Sequence, residues 1–259
     1  MAGGTAQANF LAMSPLRRRA RLGVLAVGAA GLTSCSRGFR FGAPDPVSRQ
    51  GEDVLALWNG FHWVALGVGL LIWGLVLYCV ARYRRRNDDL PSQSPYNIPV
   101  EIAYTVTPLL IVIALFAFTV VREQRVTALV DEPDVVVDVV GFQWSWEFSY
   151  PEEEVVVESD GVNFPRLVVP VGSTVRFRLQ TTDVIHSFWV PEFMMKRDLI
   201  PRIDNEIDVD VVQQGEWTGR CAEYCGLDHY RMNFIVAAVS PGEYEAWLDE
   251  ERSASEGQP

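Results

Sequence analysis

The chain has 259 residues, of which 49% are hydrophobic and 21% charged, and a net charge of -11, a composition that excludes a disordered or low-complexity polypeptide and supplies material for one or two cores. The charge is uneven: residues 1–34 carry Arg17, Arg18, Arg19 and Arg21 and no acid, whereas residues 123–259 hold 27 acids against 10 basic side chains. Such a C-terminal half repels nucleic-acid phosphates and suits a basic protein partner.

Arg17 to Arg21 followed by the apolar run Leu22 to Leu32 has the charged and hydrophobic regions of a secretory signal, and the run is too short to cross a bilayer. It ends in Leu32-Thr33-Ser34-Cys35, which resembles a bacterial lipoprotein signal in which Cys35 becomes the lipidated first residue. Residues 1–34 are therefore expected to be a signal peptide, and residues 35–57 an exported N-terminal segment. Phe61 to Ala81 and Ile102 to Val121 each supply about the 20 apolar residues that a membrane-spanning helix needs. Between them Arg82-Tyr83-Arg84-Arg85-Arg86 marks the cytoplasmic side, so residues 58–122 read as a transmembrane hairpin with both termini outside the cytoplasm. Trp58, Trp63 and Tyr83 flank the first span as interfacial anchors. Glu101 stands at the cytoplasmic end of the second span, where an ionisable group is either functional or satisfied by the helix N-terminus. His62 and Cys79 read as an interfacial imidazole and an apolar packing residue.

Beyond Glu123 the texture changes to short β-branched and aromatic runs separated by Gly, Pro, Asp and Asn, the pattern of an all-β domain. Strands are predicted over 135–140, 142–150, 155–158, 166–169, 174–180, 206–212, 216–220 and 234–239. Their spacing fits a sandwich or barrel over 123–252, closed by a short helix over 243–251 and followed by a disordered tail over 253–259.

The four cysteines, at 35, 79, 221 and 225, are too few and too irregular for a disulfide scaffold. The informative segment is Cys221-Ala222-Glu223-Tyr224-Cys225-Gly226-Leu227-Asp228-His229-Tyr230-Arg231-Met232, which crowds thiols, imidazole and thioether into one turn-rich stretch. Soft sulfur with imidazole suits copper, and Cys, His and a weak Met form the ligand pattern of electron-transfer copper sites. Two cysteines four apart also permit a disulfide in an oxidising compartment, but a disulfide has no need of His229 and Met232, and zinc has no need of Met. Two thiolates can bridge a pair of copper ions, each then needing its own imidazole. The chain has three histidines, and the one besides His229 in the exported domain is His186, read as standing at the end of a strand.

The Cys-x3-Cys-x3-His-x2-Met string, the upstream Val184-Ile185-His186-Ser187-Phe188, the cluster Gly141-Phe142-Gln143-Trp144-Ser145-Trp146-Glu147 and the preceding helical hairpin together resemble subunit II of cytochrome c oxidase, over about Asp53 to Glu250. The resemblance implies a two-helix transmembrane hairpin followed by an all-β, cupredoxin-like Greek-key domain. That domain would hold a binuclear copper A centre over a subunit I that carries the haems and copper B. It implies Cys221 and Cys225 as bridging ligands, His186 and His229 as terminal ligands and Met232 as the weak ligand. Glu223 would contribute its backbone carbonyl to copper and its side chain to a magnesium ion shared with subunit I. Trp144 matches the tryptophan at which electrons arrive from cytochrome c, while Trp146 reads as a structural aromatic. Glu101 matches the glutamate near the mouth of a proton path.

The implied activity is electron transfer from cytochrome c, soluble or membrane-bound in a supercomplex, to the haem of subunit I. Oxygen is reduced there to water with proton pumping, in a bacterial plasma membrane and alongside other oxidase subunits. An acidic surface including Asp131, Glu132, Glu152, Glu153, Glu154 and Asp183 would steer the basic donor. A quinol oxidase subunit would share the fold but lack the ligands. A copper A subunit of a nitric oxide reductase and a copper-carrier or thiol-redox protein are the alternatives. The family segment Ile-Pro-Gly-Arg is replaced by Ile200-Pro201-Arg202-Ile203, a departure at the glycine.

Overall fold

The computed structural model describes residues 40–85, 93–159 and 161–256. The expected signal segment and Cys35 lie outside the described residues. All elements below belong to one unit, residues 42–259.

Helix α1 (Arg49–Arg82) begins well before the predicted span because Ser48 caps it: the serine backbone is extended and its hydroxyl accepts from the Gly51 amide at 3.0 Å. This first turn is seated on the β domain. Gln50 and Gly51 are buried, Asp210 N donates to Gln50 Oε1 at 3.0 Å, Val47 N donates to the Glu192 carbonyl at 3.1 Å and Val212 N to the Val47 carbonyl at 3.0 Å. Helix α2 (Ile98–Val126) is capped by Asn97, whose side chain accepts from Val100 N at 3.4 Å while Glu101 accepts from Asn97 N at 2.9 Å. Both helices are long and apolar enough to cross a membrane. Where they meet the β domain, Arg122 of α2 pairs with Asp53 of α1 and lays its guanidinium 5.2 Å from the centre of the Phe118 ring.

Among the described residues ten strands follow: β1 (Val135–Phe142), β2 (Ser145–Tyr150), β3 (Val155–Glu158), β4 (Arg166–Pro170), β5 (Thr174–Thr181), β6 (His186–Val190), β7 (Met195–Leu199), β8 (Asn205–Asp210), β9 (Gly215–Cys221) and β10 (Asn233–Val239). They form two five-stranded sheets in the orders β3-β2-β1-β5-β8 and β4-β10-β9-β6-β7. The β1–β5 and β4–β10 pairs are parallel and the remainder antiparallel. Alternation sends Trp146, Phe148 and Tyr150 of β2 into the core, where they meet Phe177 and Leu179 of β5 and Phe234 and Val236 of β10. Phe234 is the hub: it stacks on Phe188 at 5.0 Å and meets Trp146 and Phe148 edge-on at 5.2 and 5.3 Å. Gly219 on β9 makes room for it, since a Cβ there would overlap the Phe234 ring. Tyr150 pins the outer edge of β4, its hydroxyl donating to the Val168 carbonyl at 2.8 Å and accepting from the Val168 amide at 2.9 Å. The two apolar helices followed by a two-sheet β sandwich agree with the helical hairpin and all-β domain that the resemblance implies.

Four features depart from the sequence reading. The β6–β7 hairpin was not predicted, and His186 opens a strand instead of ending one. The 142–150 run is broken by a turn at Gln143-Trp144, so β2 starts at Ser145. Helix α3 (Pro241–Glu256) extends through residues 253–256, assigned above to the tail. Its start is a capping box in which Ser240 N donates to Glu243 at 2.9 Å and Glu243 N to the Ser240 hydroxyl at 3.4 Å.

Candidate metal centre

Two strand ends and one folded loop build the site. β6 and β9 are neighbours, with Phe188 opposite Cys221, and the Ala222 amide donates to the Ser187 carbonyl at 3.0 Å. This register brings His186, the first residue of β6, alongside Cys221, the last of β9. The loop beyond Cys221 then folds back until the Cys221 amide donates to the Met232 carbonyl at 2.9 Å. Cys225, His229 on a 3-10 turn (His229–Arg231) and Met232 are thereby gathered into the same space. Gly226 permits the reversal, with a φ of +130° that side-chain-bearing residues rarely adopt.

The donor atoms converge. Cys221 Sγ lies 3.9 Å from Cys225 Sγ, 3.8 Å from His186 Nδ1 and 3.2 Å from the Glu223 carbonyl oxygen. Cys225 Sγ lies 3.5 Å from His229 Nδ1 and 3.8 Å from Met232 Sδ. The separation of the two sulfurs is nearly twice the length of a disulfide, about 2.05 Å. It is shorter than two metal–thiolate bonds of about 2.3 Å laid end to end, so one ion can touch both sulfurs. His186, Cys221, Cys225 and Met232 are all buried. Each sulfur thus has an imidazole of its own, and the thioether sits on the Cys225 side with the carbonyl on the Cys221 side. This soft, asymmetric and enclosed set fits two copper ions, and it also fits an electron-transfer role, in which ligands fixed on a rigid scaffold limit rearrangement.

The surroundings of the two thiols differ. Against the cost of burial, hydrogen bonding by His186 and by the backbone of Ser187 and Glu223 brings the Cys221 thiol from 9.0 down to about 7. Burial, and then the neighbouring Cys221 sulfur, push Cys225 up to about 12. A bound cation supplies the charge that would ionise both. His186 is raised despite burial, because Cys221 and Asp183 favour its protonated form.

Trp144 sits in the β1–β2 turn, half-buried against the metal loop: a Cβ on Gly226 would lie 3.1 Å from its Nε1 and 3.2 Å from its Cζ2. Trp146 is fully buried and donates to the Met232 carbonyl at 3.4 Å, in keeping with a structural aromatic. Glu223 exposes its side chain while its carbonyl faces Cys221. Glu101 is not brought to this site: it precedes the end of α2 by 25 residues, about 38 Å of helix, and its carboxylate closes the helix cap.

Two residues that the sequence reading passed over belong to the site. Asp183, counted there among surface acids, accepts from His186 Nε2 at 2.8 Å, and Gln143 donates from Nε2 to the Cys225 carbonyl at 2.7 Å. An acid three residues before a candidate ligand histidine was the available sign for the first. The second had none, because its partner is 82 residues away. Arg202, where the family motif has glycine, takes φ +66° in a turn closed by Ile203 N to the Ile200 carbonyl at 3.0 Å. Pro201 followed by a positive φ is the requirement of a type II turn, so the turn survives the departure with a strained residue in it.

Fold and site together describe a β-sandwich protein with two helices long and apolar enough to cross a membrane and a candidate metal centre of cysteine, histidine and methionine. The sequence matches the family "Cytochrome C oxidase subunit II, transmembrane domain" over residues 36–120 and "Cytochrome C oxidase subunit II, periplasmic domain" over 135–239. A probable cytochrome c oxidase subunit 2 of Streptomyces avermitilis is 40% identical over 249 residues, covering 81% of this chain and 78% of the relative. The cytochrome c oxidase subunit 2 of Mycobacterium tuberculosis is 33% identical over 291 residues, covering 89% and 80%. A crystal structure of the periplasmic domain of subunit II of cytochrome oxidase of Bradyrhizobium japonicum has 28% identity and a TM-score of 0.45, covering 49% of this chain and 99% of that one. The chain belongs to the cytochrome c oxidase subunit II family, the membrane-bound subunit II of haem-copper oxidases.

Proposed function

We propose that this chain receives electrons one at a time from cytochrome c at a binuclear copper A centre and hands them to the haem of subunit I. The observation that carries the proposal is the pair of buried thiols 3.9 Å apart, each with its own imidazole and with Met232 and the Glu223 carbonyl on opposite flanks. Cys221 and Cys225 would bridge the two ions, His186 and His229 would terminate them, and Met232 and the Glu223 carbonyl would be the weak ligands. Bound there, the copper pair supplies a one-electron relay. The chain holds its ligands still, excludes water from the sulfurs and presents Trp144 to the donor.

Each electron leaves a ferrous cytochrome c, and four of them with four protons reduce dioxygen to two waters in subunit I. The exposed Glu223 carboxylate is available for a magnesium ion shared with that subunit. In this reading the β domain lies on the extracytoplasmic face of a bacterial plasma membrane; Asp131, Glu132 and Glu152 stand at the ends of β1 and β2 away from the Trp144 turn, about 20 Å of strand from it, so they do not form the donor's seat. Glu101 would stand near the proton path from the opposite face, its helix-capping role leaving one carboxylate oxygen uncommitted.

Replacing Cys221 by Ser in the assembled oxidase tests the assignment. Loss of the two-copper centre together with cytochrome c oxidation is the expected result. Retention of two coppers with an unchanged spectrum would contradict it, and a Cys221–Cys225 disulfide that cycles with a thiol reductant would favour a redox-thiol protein instead.

A further inference from the structure

The turn between β1 and β2 is bonded to both ligand-bearing segments. Gln143 N donates to Asp183 Oδ2 at 2.7 Å, and Gln143 Nε2 donates to the Cys225 carbonyl at 2.7 Å. Asp183 Oδ1 in turn faces His186 Nε2 at 2.8 Å, and also accepts from Val184 N at 2.6 Å and from the Thr181 hydroxyl at 3.3 Å. With Nε2 held by the carboxylate, Nδ1 is the ring nitrogen left to face Cys221, and the fully buried ring has no access to water in place of that acceptor. Gly141, two residues before Gln143, closes the packing from the other side, since a Cβ there would lie 3.3 Å from His186 Cγ.

We propose that Gln143 and Asp183 form a clasp that fixes the Trp144 turn to both ligand loops, Asp183 being a positioning residue for His186 and Gln143 a positioning residue for electron arrival. The proposal rests on the copper A reading above. It gives Asp183 a role beside that of a surface charge: both of its oxygens accept from groups of its own chain, which fixes the carboxylate against His186 even though the side chain is 30% exposed. Gln143 ties Trp144 to the carbonyl of a bridging cysteine through one hydrogen bond, and the edge of the Trp144 ring is held against Gly226 by that bond. The electron path from indole to sulfur is then short because the clasp is closed.

The test uses the assembled oxidase carrying Gln143→Leu or Asp183→Asn. Gln143→Leu removes the side-chain donor but keeps the backbone bond and the charge. It is expected to retain both coppers and the KM for cytochrome c, and to slow electron arrival after flash reduction by about tenfold. Asp183→Asn is expected to shift the nitrogen hyperfine coupling of His186 and to speed exchange of its Nε2 proton, at high and low salt alike. If Asp183→Asn instead left the His186 coupling and proton exchange unchanged and raised only the low-salt KM, Asp183 would be a docking charge and the clasp would be wrong. An unchanged arrival rate in Gln143→Leu would remove the role given to Gln143. Absence of a two-copper signal in the unsubstituted oxidase would overturn the proposed function itself, whatever the variants do.

Discussion

Replacing Gly226 by Ala probes the joint between the metal loop and the Trp144 turn. The backbone there has φ +130°, a conformation that costs a side-chain-bearing residue about 1 to 3 kcal/mol. The new Cβ would also lie 3.0 Å from Gln143 Nε2 and 3.1 and 3.2 Å from the Trp144 ring, so the turn has to retreat by a few tenths of an ångström. Overpacking of this kind costs a further 1 to 3 kcal/mol or so. Gly172→Ala is the control for a positive φ without a contact, at φ +87° and with nothing within 4 Å of the added carbon; φ +130° is further from the left-handed region that alanine adopts, so the difference between the variants holds the contact cost plus the extra backbone cost at position 226. Thermal unfolding of the full chain in detergent, followed by tryptophan fluorescence, reads the difference. Gly226→Ala is expected to unfold at a temperature lower than Gly172→Ala by roughly 4 °C for each kcal/mol of that difference. In the assembled oxidase it is also expected to slow electron arrival, which Gly172→Ala leaves unchanged. Equal melting temperatures for the two variants would refute the claim that Trp144 and Gln143 are pressed onto the metal loop.

Three further outcomes follow from particular contacts. Arg202→Gly relieves a positive φ of +66° and should raise stability by about 1 kcal/mol in denaturant unfolding, and a loss would mean that the arginine side chain compensates the turn. Tyr150→Phe strands the Val168 amide and carbonyl at a buried edge and should cost about 2 to 4 kcal/mol; a change under about 1 kcal/mol would show that the pair finds other partners. In metal-free, reduced protein carrying Cys35→Ser and Cys79→Ser, so that Cys221 and Cys225 are the remaining thiols, the thiolate absorbance should rise in a step near pH 7 that Cys221→Ser abolishes, with Cys225 ionising only near 12. The sign follows from linkage: the Cys221 thiolate contributes stability present above its ordinary 9.0 and lost as pH falls through about 7. A single step near 9 for both thiols would contradict the environment described for Cys221.

The strands with clean alternation were legible in the sequence: Val155–Glu158 was predicted to the residue, and Val135–Phe142, Arg166–Pro170 and Asn233–Val239 to within two at either end. The β6–β7 hairpin was not, because Met195–Leu199 reads Met-Lys-Arg-Asp-Leu and carries no β pattern; pairing to β6 makes it a strand. Helix α1 was underestimated at its start because its first turn is polar and held by Ser48, Gln50 and the β domain, not by membrane hydrophobicity. The ligand set was visible because Cys221, Cys225, His229 and Met232 are close in sequence and chemically unusual together. What surrounds them was not, since the bonds of Gln143 to Asp183 and Cys225 join segments 40 and 82 residues apart and involve residue types that are ordinary on any surface.

The most direct test of the central claim is low-temperature electron paramagnetic resonance with copper counting on the full chain in detergent, after copper loading and oxidation. Two coppers per chain sharing one unpaired spin, with a seven-line hyperfine pattern where resolved, is the predicted result. One copper with a four-line pattern, or a spin-silent folded protein with Cys221 and Cys225 joined as a disulfide, would contradict the account.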